Sequence, residues 1–242
     1  MLIQCDLHTK EDLRLWSALE KADLLYSRRK DLAYKEAKAK RDIATFLEQG
    51  AAYLGVSWGK DSAVVAHLAK EFDLPFVWIR IEPIFNPYCL QVRDAFLAQH
   101  KINYSEIEVW CEQGEKGWLA GGTLEKGFAQ FIEQAKIDRH ISGIRAQESA
   151  IRRMRAKRWG VSSPNTCAPL SNWTHRDIFA YLAKHNLPIH PNYAMLGDGR
   201  YPREYLRVAS LGGIRGREMG RYEWEYEYYA DILRKTGRLK DG

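Results

Sequence analysis

Cysteine is scarce and unpaired in this sequence. Zinc and iron–sulfur sites usually take their ligands from closely spaced pairs of cysteines, so neither kind of site is expected. Widely separated thiols indicate a reducing compartment, and we expect a cytoplasmic protein with free, partly buried cysteines. The 242 residues contain only Cys5, Cys89, Cys111 and Cys167.

Long apolar runs are also missing, and this predicts that no segment spans a bilayer. The first ten residues contain no basic stretch followed by an apolar one, so no signal peptide is expected. Charged residues are plentiful. The sequence has 37 Lys and Arg and 31 Asp and Glu, which gives a net charge of +6. This balance favours anionic partners such as nucleotides, sulfate esters or nucleic acid, without choosing among them.

Three segments follow one another along the chain. Residues 1–50 are rich in helix-forming residues and predict a helical N-terminal segment. Residues 51–190 alternate short apolar runs with helical patterns, which is typical of a parallel α/β sheet with right-handed crossovers. Strands are predicted at 51–56, 75–81, 104–110 and 139–144, and a glycine-rich loop at 114–122. Residues 191–242 are irregular, except for a helix predicted at 222–235, and are expected to pack on the same domain.

The first chemical motif is Ser-Trp-Gly-Lys-Asp-Ser at 57–62, between a buried strand and a helix. The N–H groups and dipole of a helix N-terminus favour an anion there. Gly59 allows a phosphate to approach the backbone, and Lys60 adds a positive charge. Ser57 and Ser62 add hydroxyl donors, and Asp61 is positioned to cap the helix or to hold Mg²⁺. The motif is not a Walker A loop, because Asp61 follows the lysine and Leu54 occupies the position of the first glycine.

Two further blocks accompany this loop. In residues 141–152, Gly143 ends a predicted strand and an arginine-rich helix predicted at 147–159 follows. Arg145 and Arg152 can give bidentate hydrogen bonds to phosphate or sulfate, and Glu148 is expected to hold one of them. A solvated basic helix with i, i+4 ion pairs is the alternative. In residues 168–182, Thr174 and Asp177 predict a helix N-cap that follows Trp173.

Together these blocks resemble a known superfamily. The loop at 57–62 is similar to the PP-loop of the N-type ATP pyrophosphatases. The other two blocks resemble the Gly-[Ile/Leu]-Arg-x-x-[Glu/Gln]-Ser-x-x-Arg and Pro-Leu-x-x-Trp-Thr segments of its phosphoadenylylsulfate (PAPS) reductase branch, which includes the small subunit of ATP sulfurylase. The resemblance implies an adenine-nucleotide α-hydrolase-like fold, in which helices sandwich a parallel sheet of about five strands.

It also implies an enzyme that binds ATP or a related adenine nucleotide with Mg²⁺. The expected reaction cleaves the α–β bond and adenylylates an anionic acceptor such as sulfate, with release of pyrophosphate. Lys60, Arg145 and Arg152 are the predicted catalytic residues, and Asp61 is the predicted metal ligand. The predicted nucleotide-binding residues are Ser57, Trp58, Gly59, Lys60, Asp61, Ser62, Gly143, Arg145 and Glu148.

The sequence departs from this branch in ways that leave the acceptor open. No cysteine follows Cys167, so the C-terminal nucleophile of the reductases is missing and PAPS reduction is disfavoured. Cys167 itself is a candidate persulfide carrier. The segment 80–88, expected to border the adenine and the acceptor, is divergent.

A nucleotide-binding component without turnover, in a nucleic-acid modification or sulfur-metabolism complex, remains an alternative function. Assembly as a homo-oligomer or with a partner subunit is also open. Six C-terminal arginines are predicted to close over the triphosphate, to bind nucleic acid or to be solvated: Arg200, Arg203, Arg207, Arg215, Arg217 and Arg221.

Overall fold

The computed structural model describes residues 1–114, 117–119, 122–208, 211 and 221–235. The strands of this part are β1 (Tyr53–Val56), β2 (Pro75–Glu82), β3 (Asn103–Trp110), β4 (Glu112–Gly114), β5 (Gly117–Leu119), β6 (His140–Ile141) and β7 (Thr166–Cys167). The α-helices are α1 (Lys10–Tyr26), α2 (Lys30–Glu48), α3 (Lys60–Ala69), α4 (Tyr88–Gln99), α5 (Thr123–Ala135), α6 (Ala150–Trp159), α7 (His175–Lys184) and α8 (Arg221–Lys235).

Five strands form a parallel sheet in the order β3-β2-β1-β6-β7. This confirms the predicted α/β class with a parallel sheet. The chain first builds outward from β1 through β2 to β3 and then returns to place β6 on the other side of β1. Ligands of open parallel sheets bind beyond the carboxyl ends of the strands at such a reversal, so the topology singles out the ends of β1 and β6.

Alternating side chains of the central strands face two separate apolar clusters. Tyr53 and Val77 pack with Phe131 of α5 on one face. Leu54 and Phe76 belong to the larger cluster on the other face, which also takes in residues from α1, α2, α3, α4, α7 and α8. Residues from all three predicted segments therefore contribute to the same core. No helix in the described ranges is long and apolar enough to cross a membrane.

Capping side chains explain where two helices begin. Thr9 caps α1 and Thr174 caps α7, and each accepts from the N–H of an aspartate three residues later, Asp12 and Asp177. Each aspartate in turn accepts from the N–H of its threonine, which completes the capping box. Asp177 is buried and also pairs with Lys35 of α2 at 2.6 Å, so the cap ties α7 to the N-terminal helices.

Three local predictions were wrong in detail. The strand expected at 139–144 is only two residues long, because the chain leaves the sheet after Ile141 to approach α3. The helix expected at 147–159 is divided, because the extended residue Ser149 ends a 3₁₀ turn at Ala146–Glu148 and caps α6 with its side chain. The loop expected at 114–122 contains a strand, β5, which pairs with β4 to form an antiparallel hairpin. No pattern in the sequence predicted the short strand β7.

Candidate functional site

The loop at 57–59 joins the carboxyl end of β1 to the first turn of α3. The Ser62 hydroxyl accepts hydrogen bonds from the N–H groups of Ser57, at 2.8 Å, and Trp58, at 3.2 Å. The hydroxyl oxygen of Ser62, predicted to serve a phosphate, is therefore used to close the loop. Gly59 occupies the N-cap position, and no side chain caps the helix there. The first turn thus keeps backbone N–H groups that have no intrahelical partner.

Trp58 has an unusual backbone conformation and a buried side chain. Its φ of 58° lies in the left-handed region, which is uncommon for a bulky residue. The indole is fully buried and packs against Phe96, with ring centroids 5.5 Å apart, and against Tyr104, at 5.6 Å. Trp58 was predicted as a nucleotide-binding residue, and the structure shows its side chain packed in the core. The buried ring instead anchors the loop to α4 and β3.

Lys60 is buried at the start of α3, with only 4% of its surface exposed. Its Nζ lies 3.3 Å from a carboxylate oxygen of Asp61 and 4.9 Å from the centroid of the Tyr193 ring. The Lys60 backbone N–H donates to the Tyr193 hydroxyl at 3.1 Å. Tyr193 comes from the irregular segment after α7, and nothing in its sequence surroundings marked it as part of the site.

Arg145 reaches the same carboxylate from the connection that follows β6. Its Nε donates to Asp61 Oδ1 at 2.5 Å, and its side chain is only 4% exposed. Two buried cations, Lys60 and Arg145, therefore share one carboxylate at the N-terminus of α3. The sequence named these three residues, and the structure brings them together.

Gly143 permits this approach. A Cβ atom at Gly143 would lie 3.0 Å from both the carbonyl carbon and the carbonyl oxygen of Asp61, closer than such atoms normally come. The missing side chain therefore lets the exit from β6 run directly against the first turn of α3. Gly143 was predicted as a nucleotide-binding residue, and the structure gives it a close contact with the loop backbone.

Glu148 organises the segment that carries both predicted arginines. It accepts the Arg145 backbone N–H at 3.0 Å and forms an ion pair with the Arg152 guanidinium. The expectation that Glu148 holds an arginine agrees with this contact. Arg152 is more exposed than Arg145 and pairs with Glu148 rather than with Asp61.

Gln147 and His175 join the site without having been predicted. The Gln147 side-chain oxygen accepts from Arg145 Nη1 at 3.3 Å and from the His175 backbone N–H at 2.9 Å. Burial lowers the pKa of His175, and the cations of Arg145, Arg203 and Lys60 lower it further, although Glu204 opposes them. Burial is thus the main cause of the depressed pKa, and the nearby cations contribute less.

A cavity of about 200 Å³ lies beside Ser57, after the end of β1 and alongside the second half of β2. Its wall is mainly apolar and includes Phe85 and Asn86 from the divergent segment 80–88. Arg80 at the start of that segment is instead engaged by glutamates and pairs with Glu106 at 2.8 Å. The remaining lining residues are Trp78, Ile79, Ile81, Cys89, Leu124 and Val208.

The donor set around the loop fits Mg²⁺ poorly. Asp61, the predicted metal ligand, already has one oxygen on Arg145 and the other near Lys60. Across the described ranges, no group of three or more His, Cys, Asp or Glu side chains is arranged to hold a metal ion. Binding of Mg²⁺ by Asp61 would require it to give up both cations.

The C-terminal arginines and Cys167 were also predicted as candidate functional residues. Arg203 is buried and forms a two-pronged ion pair with Asp23, at 2.6 and 2.7 Å, so it does not close over a ligand. Arg200 pairs with Glu227 at 2.7 Å. The carbonyl of Arg207 accepts from Asn192 at 3.2 Å. Arg215 and Arg217 fall outside the described residues, as does the side chain of Arg221.

Cys167 is fully buried and burial raises its pKa to about 12, which disfavours a persulfide role.

Known proteins resemble this chain over most of its length. A model of the phosphoadenosine phosphosulfate reductase domain matches residues 51–215. A phosphoadenosine 5′-phosphosulfate reductase of Xylella fastidiosa (strain 9a5c) is 27% identical over 189 residues, covering 66% of this chain and 77% of that protein. The protein of the same name from Xanthomonas axonopodis pv. citri (strain 306) is 27% identical over 233 residues, covering 84% and 88%.

A solved structure agrees on the fold. The phosphoadenylyl-sulfate (PAPS) reductase of Candida auris, a phosphate complex, superposes with a TM-score of 0.53 at 11% identity, covering 76% of this chain and 97% of that one. The resemblance to the PAPS reductase branch, carried by the loop at 57–62 and the two later blocks, is thereby confirmed. The chain belongs to the phosphoadenosine phosphosulfate reductase domain family.

Proposed function

We propose that this protein binds an adenine nucleotide and cleaves the α–β bond of ATP, transferring AMP to an anionic acceptor such as sulfate and releasing pyrophosphate. The observation that carries the proposal is the pair of buried cations, Lys60 and Arg145, which share the Asp61 carboxylate at the first turn of α3. Arg145 also lies 4.0 Å from Glu148, which pairs with Arg152, so three cations face two carboxylates here. Cations that outnumber their carboxylates favour a further anion. The helix N-terminus beside them supplies backbone donors for the same anion.

Two neighbouring features support the proposed position of the nucleotide. Its phosphates lie against the first turn of α3 and take over the contacts that Lys60 and Arg145 make with Asp61. Its base enters the apolar cavity of about 200 Å³, because Ser57 belongs both to the loop and to the cavity wall. An apolar pocket with a few polar groups at its rim is the usual form of a nucleotide-base site.

The same two cations, Lys60 and Arg145, are proposed to stabilise the charge that develops in the reaction. Attack of an acceptor oxygen on the α-phosphorus transfers negative charge to the departing pyrophosphate. Lys60 and Arg145 are preorganised by burial and by their contacts with Tyr193 and Gln147, so they stabilise this charge without rearrangement. Arg152, once released from Glu148, is the cation available to the acceptor. No step of this proposal is assigned to Mg²⁺.

One observation favours a second candidate, a nucleotide-binding subunit without turnover. Asp61 is fully engaged by its two cations, and the described residues offer no other carboxylate cluster for a catalytic metal. Such a protein would bind nucleotide tightly and release no pyrophosphate with any acceptor.

Calorimetry and a pyrophosphate-release assay test both candidates. ATP and PAPS are titrated into wild type, Lys60→Ala and the control Lys40→Ala, whose lysine lies on the surface beside Glu71. A charge-assisted phosphate contact contributes about 1.5–3 kcal/mol, so Lys60→Ala should weaken nucleotide binding roughly tenfold to a hundredfold. Equal affinity in the two variants would refute the site. Pyrophosphate release that depends on one acceptor, tested over sulfate, carboxylates and oligonucleotides, would establish turnover.

A further inference from the structure

The positive charge of the chain is concentrated in one stretch. Residues 149–176 contain six Lys and Arg and no Asp or Glu, while the whole chain has a net charge of +6. The cations and acids of the remaining residues therefore balance. Five of the six cations belong to α6, a helix of 10 residues. An anionic partner is accordingly expected to meet the protein at this helix.

The α6 helix has an inner and an outer side. Arg152 pairs with Glu148, and Arg155 donates to the hydroxyl of Thr166 in β7, so these two arginines attach the helix to the rest of the domain. The outer side carries three exposed cations, which are Arg153, Lys157 and Arg158. None of the three forms an ion pair within the part of the chain that the structure describes. Their charges are therefore available to a partner.

Apolar side chains lie among these outer cations. Ile151 is 75% exposed, Met154 is 64% exposed and Trp159 is 47% exposed, and no residue of α6 is buried. Ile151, Met154 and Arg158 follow the i, i+3, i+7 spacing and share one face of the helix. The Arg158 guanidinium lies 5.1 Å from the centroid of the Trp159 ring, within the range of a cation–π contact. The outer side thus offers apolar and cationic groups at the same place.

A single-stranded nucleic acid matches both kinds of group. Its unpaired bases stack on aromatic side chains, while its phosphates bind Arg and Lys. In a duplex the bases stack on one another, and the exposed apolar side chains of α6 would gain little. A membrane surface requires a helix whose apolar residues form a face of their own, but on α6 they are mixed with cations. The core of a protein–protein interface is depleted in charged residues, unlike this surface.

The length and position of α6 also suit a short stretch of one strand. Its 10 residues span about 15 Å, and a stacked strand carries one phosphate in about 3.4 Å, so about four nucleotides fit along the helix. Each outer cation can then meet a different phosphate. The first turn of α6 adjoins the candidate site, because Glu148 contacts both Arg152 and the Arg145 backbone N–H.

We propose that the outer side of α6 binds a single-stranded nucleic acid, with Arg153, Lys157 and Arg158 on the phosphates and Trp159 stacked on a base. This interaction goes beyond the proposed adenylyl transfer. It also does not depend on that reaction, because none of these four residues belongs to the candidate nucleotide site.

Fluorescence anisotropy tests the contribution of the cations. The probe is a labelled oligonucleotide of about 15 nucleotides, prepared as single-stranded DNA and as RNA. Three phosphate contacts predict that log Kd rises with log salt concentration with a slope of about 2. The triple variant Arg153→Gln/Lys157→Gln/Arg158→Gln should bind at least tenfold more weakly, with a slope near zero. The control, Lys21→Gln/Arg28→Gln/Lys30→Gln, removes three exposed cations near the junction of α1 and α2 and should bind like the wild type.

The stacking contact has its own pair of variants. Trp159→Ala should weaken binding about tenfold and leave the salt slope unchanged, because stacking does not release counterions. Trp110→Ala removes another exposed tryptophan, on β3, and should have no effect. All substituted side chains are exposed, and thermal unfolding of each variant verifies that it is folded.

Several outcomes would overturn the proposal. These are the absence of binding, a salt slope near zero in the wild type, or equal losses in the two triple variants. Tighter binding to a duplex of the same length, or to phosphatidylserine vesicles, would assign the surface to a different partner. Equal competition by polyglutamate would reduce the interaction to ion exchange. ATP affinity should be the same in all these variants, so a failure at α6 is distinguishable from a failure of the nucleotide site, which Lys60→Ala tests.

Discussion

Arg145 and Asp61 are 84 residues apart in the sequence, and a 2.5 Å hydrogen bond joins the arginine Nε to the aspartate carboxylate. The bond connects the two strand ends that flank the topological reversal of the sheet. It also determines the charge state of the candidate site, because Asp61 is the carboxylate that Lys60 and Arg145 share. The first prediction addresses this contact.

Asp61→Asn should destabilise the protein and strengthen anion binding. The substitution keeps the shape of the side chain but removes the carboxylate that both buried cations share, at a cost of about 3 kcal/mol. Arg145 then keeps only Glu148, at 4.0 Å. Pyrophosphate should restore part of this loss and bind the variant severalfold more tightly than it binds the wild type. Urea unfolding with and without pyrophosphate measures both effects. Asp31→Asn, which removes an exposed pair with Arg29, is the control and should change little. Equal effects of the two substitutions would contradict the assignment.

Gly143→Ala should displace the first turn of α3. The added methyl would stand 3.0 Å from the Asp61 backbone, which cannot move without disturbing the loop. We expect a loss of about 1–3 kcal/mol in the free energy of unfolding, together with weaker nucleotide binding. Gly55→Ala is the matched control, because its methyl would meet the Phe128 ring at 3.3 Å, and a side chain can yield. The prediction fails if Gly55→Ala proves the more damaging of the two.

Stability should fall as the pH drops below about 6.5, and His67 is one cause. Its Nδ1 lies 2.8 Å from the Tyr181 hydroxyl, and Lys70, His100 and His185 surround the ring. Burial lowers the pKa of His67 to about 3, and Lys70, His185 and His100 lower it further against the opposing charge of Glu36. Between pH 6.5 and 3 the unfolded chain therefore binds a proton that the folded chain does not, so stability rises with pH.

Urea unfolding at pH 7 and pH 5 measures this dependence. Because His67 is partly open to solvent, we expect its share of the loss to be about 1 kcal/mol after allowance for screening. The pH dependence should become shallower in His67→Gln. An unchanged difference between the two pH values would show that other groups account for the acid sensitivity.

Arg203→Lys should reduce stability and leave nucleotide affinity unchanged. The buried guanidinium makes two parallel hydrogen bonds to Asp23 and lies 4.0 Å from the Phe179 ring, an arrangement that lysine cannot reproduce. We expect a loss of about 2–3 kcal/mol in the free energy of unfolding. Arg200→Lys, at the exposed pair with Glu227, should cost less than about 0.5 kcal/mol. Weaker ATP binding in Arg203→Lys at unchanged stability would support one alternative from the sequence, that this arginine closes over the triphosphate.

Local signals explain which features were predictable from the sequence. The capping box of α7 depends on residues three positions apart, Thr174 and Asp177, and it forms as predicted. The junction between β1 and α3 is equally local, because an apolar run, a glycine and a helix former follow one another. The succession of such junctions was sufficient to predict the α/β class.

The remaining features depend on contacts between distant parts of the chain. The hydroxyl of Tyr193 meets the Lys60 N–H across 133 residues, and Arg203 meets Asp23 across 180. A motif also does not show where its variable residue points, and Trp58 turns inward because Phe96 and Tyr104 offer it an apolar pocket. The two-residue strands β6 and β7 are too short to have a periodic pattern.

The shared carboxylate has a consequence for selectivity. An anion that enters beside Lys60 and Arg145 gains only the difference between its own contacts and those that Asp61 already makes. Inorganic phosphate or sulfate has little to add beyond the contacts it displaces. A nucleotide adds a base in the neighbouring cavity and a chain of phosphates along the helix N-terminus. Asp61 thus sets an affinity threshold, which would keep abundant small anions from occupying the site.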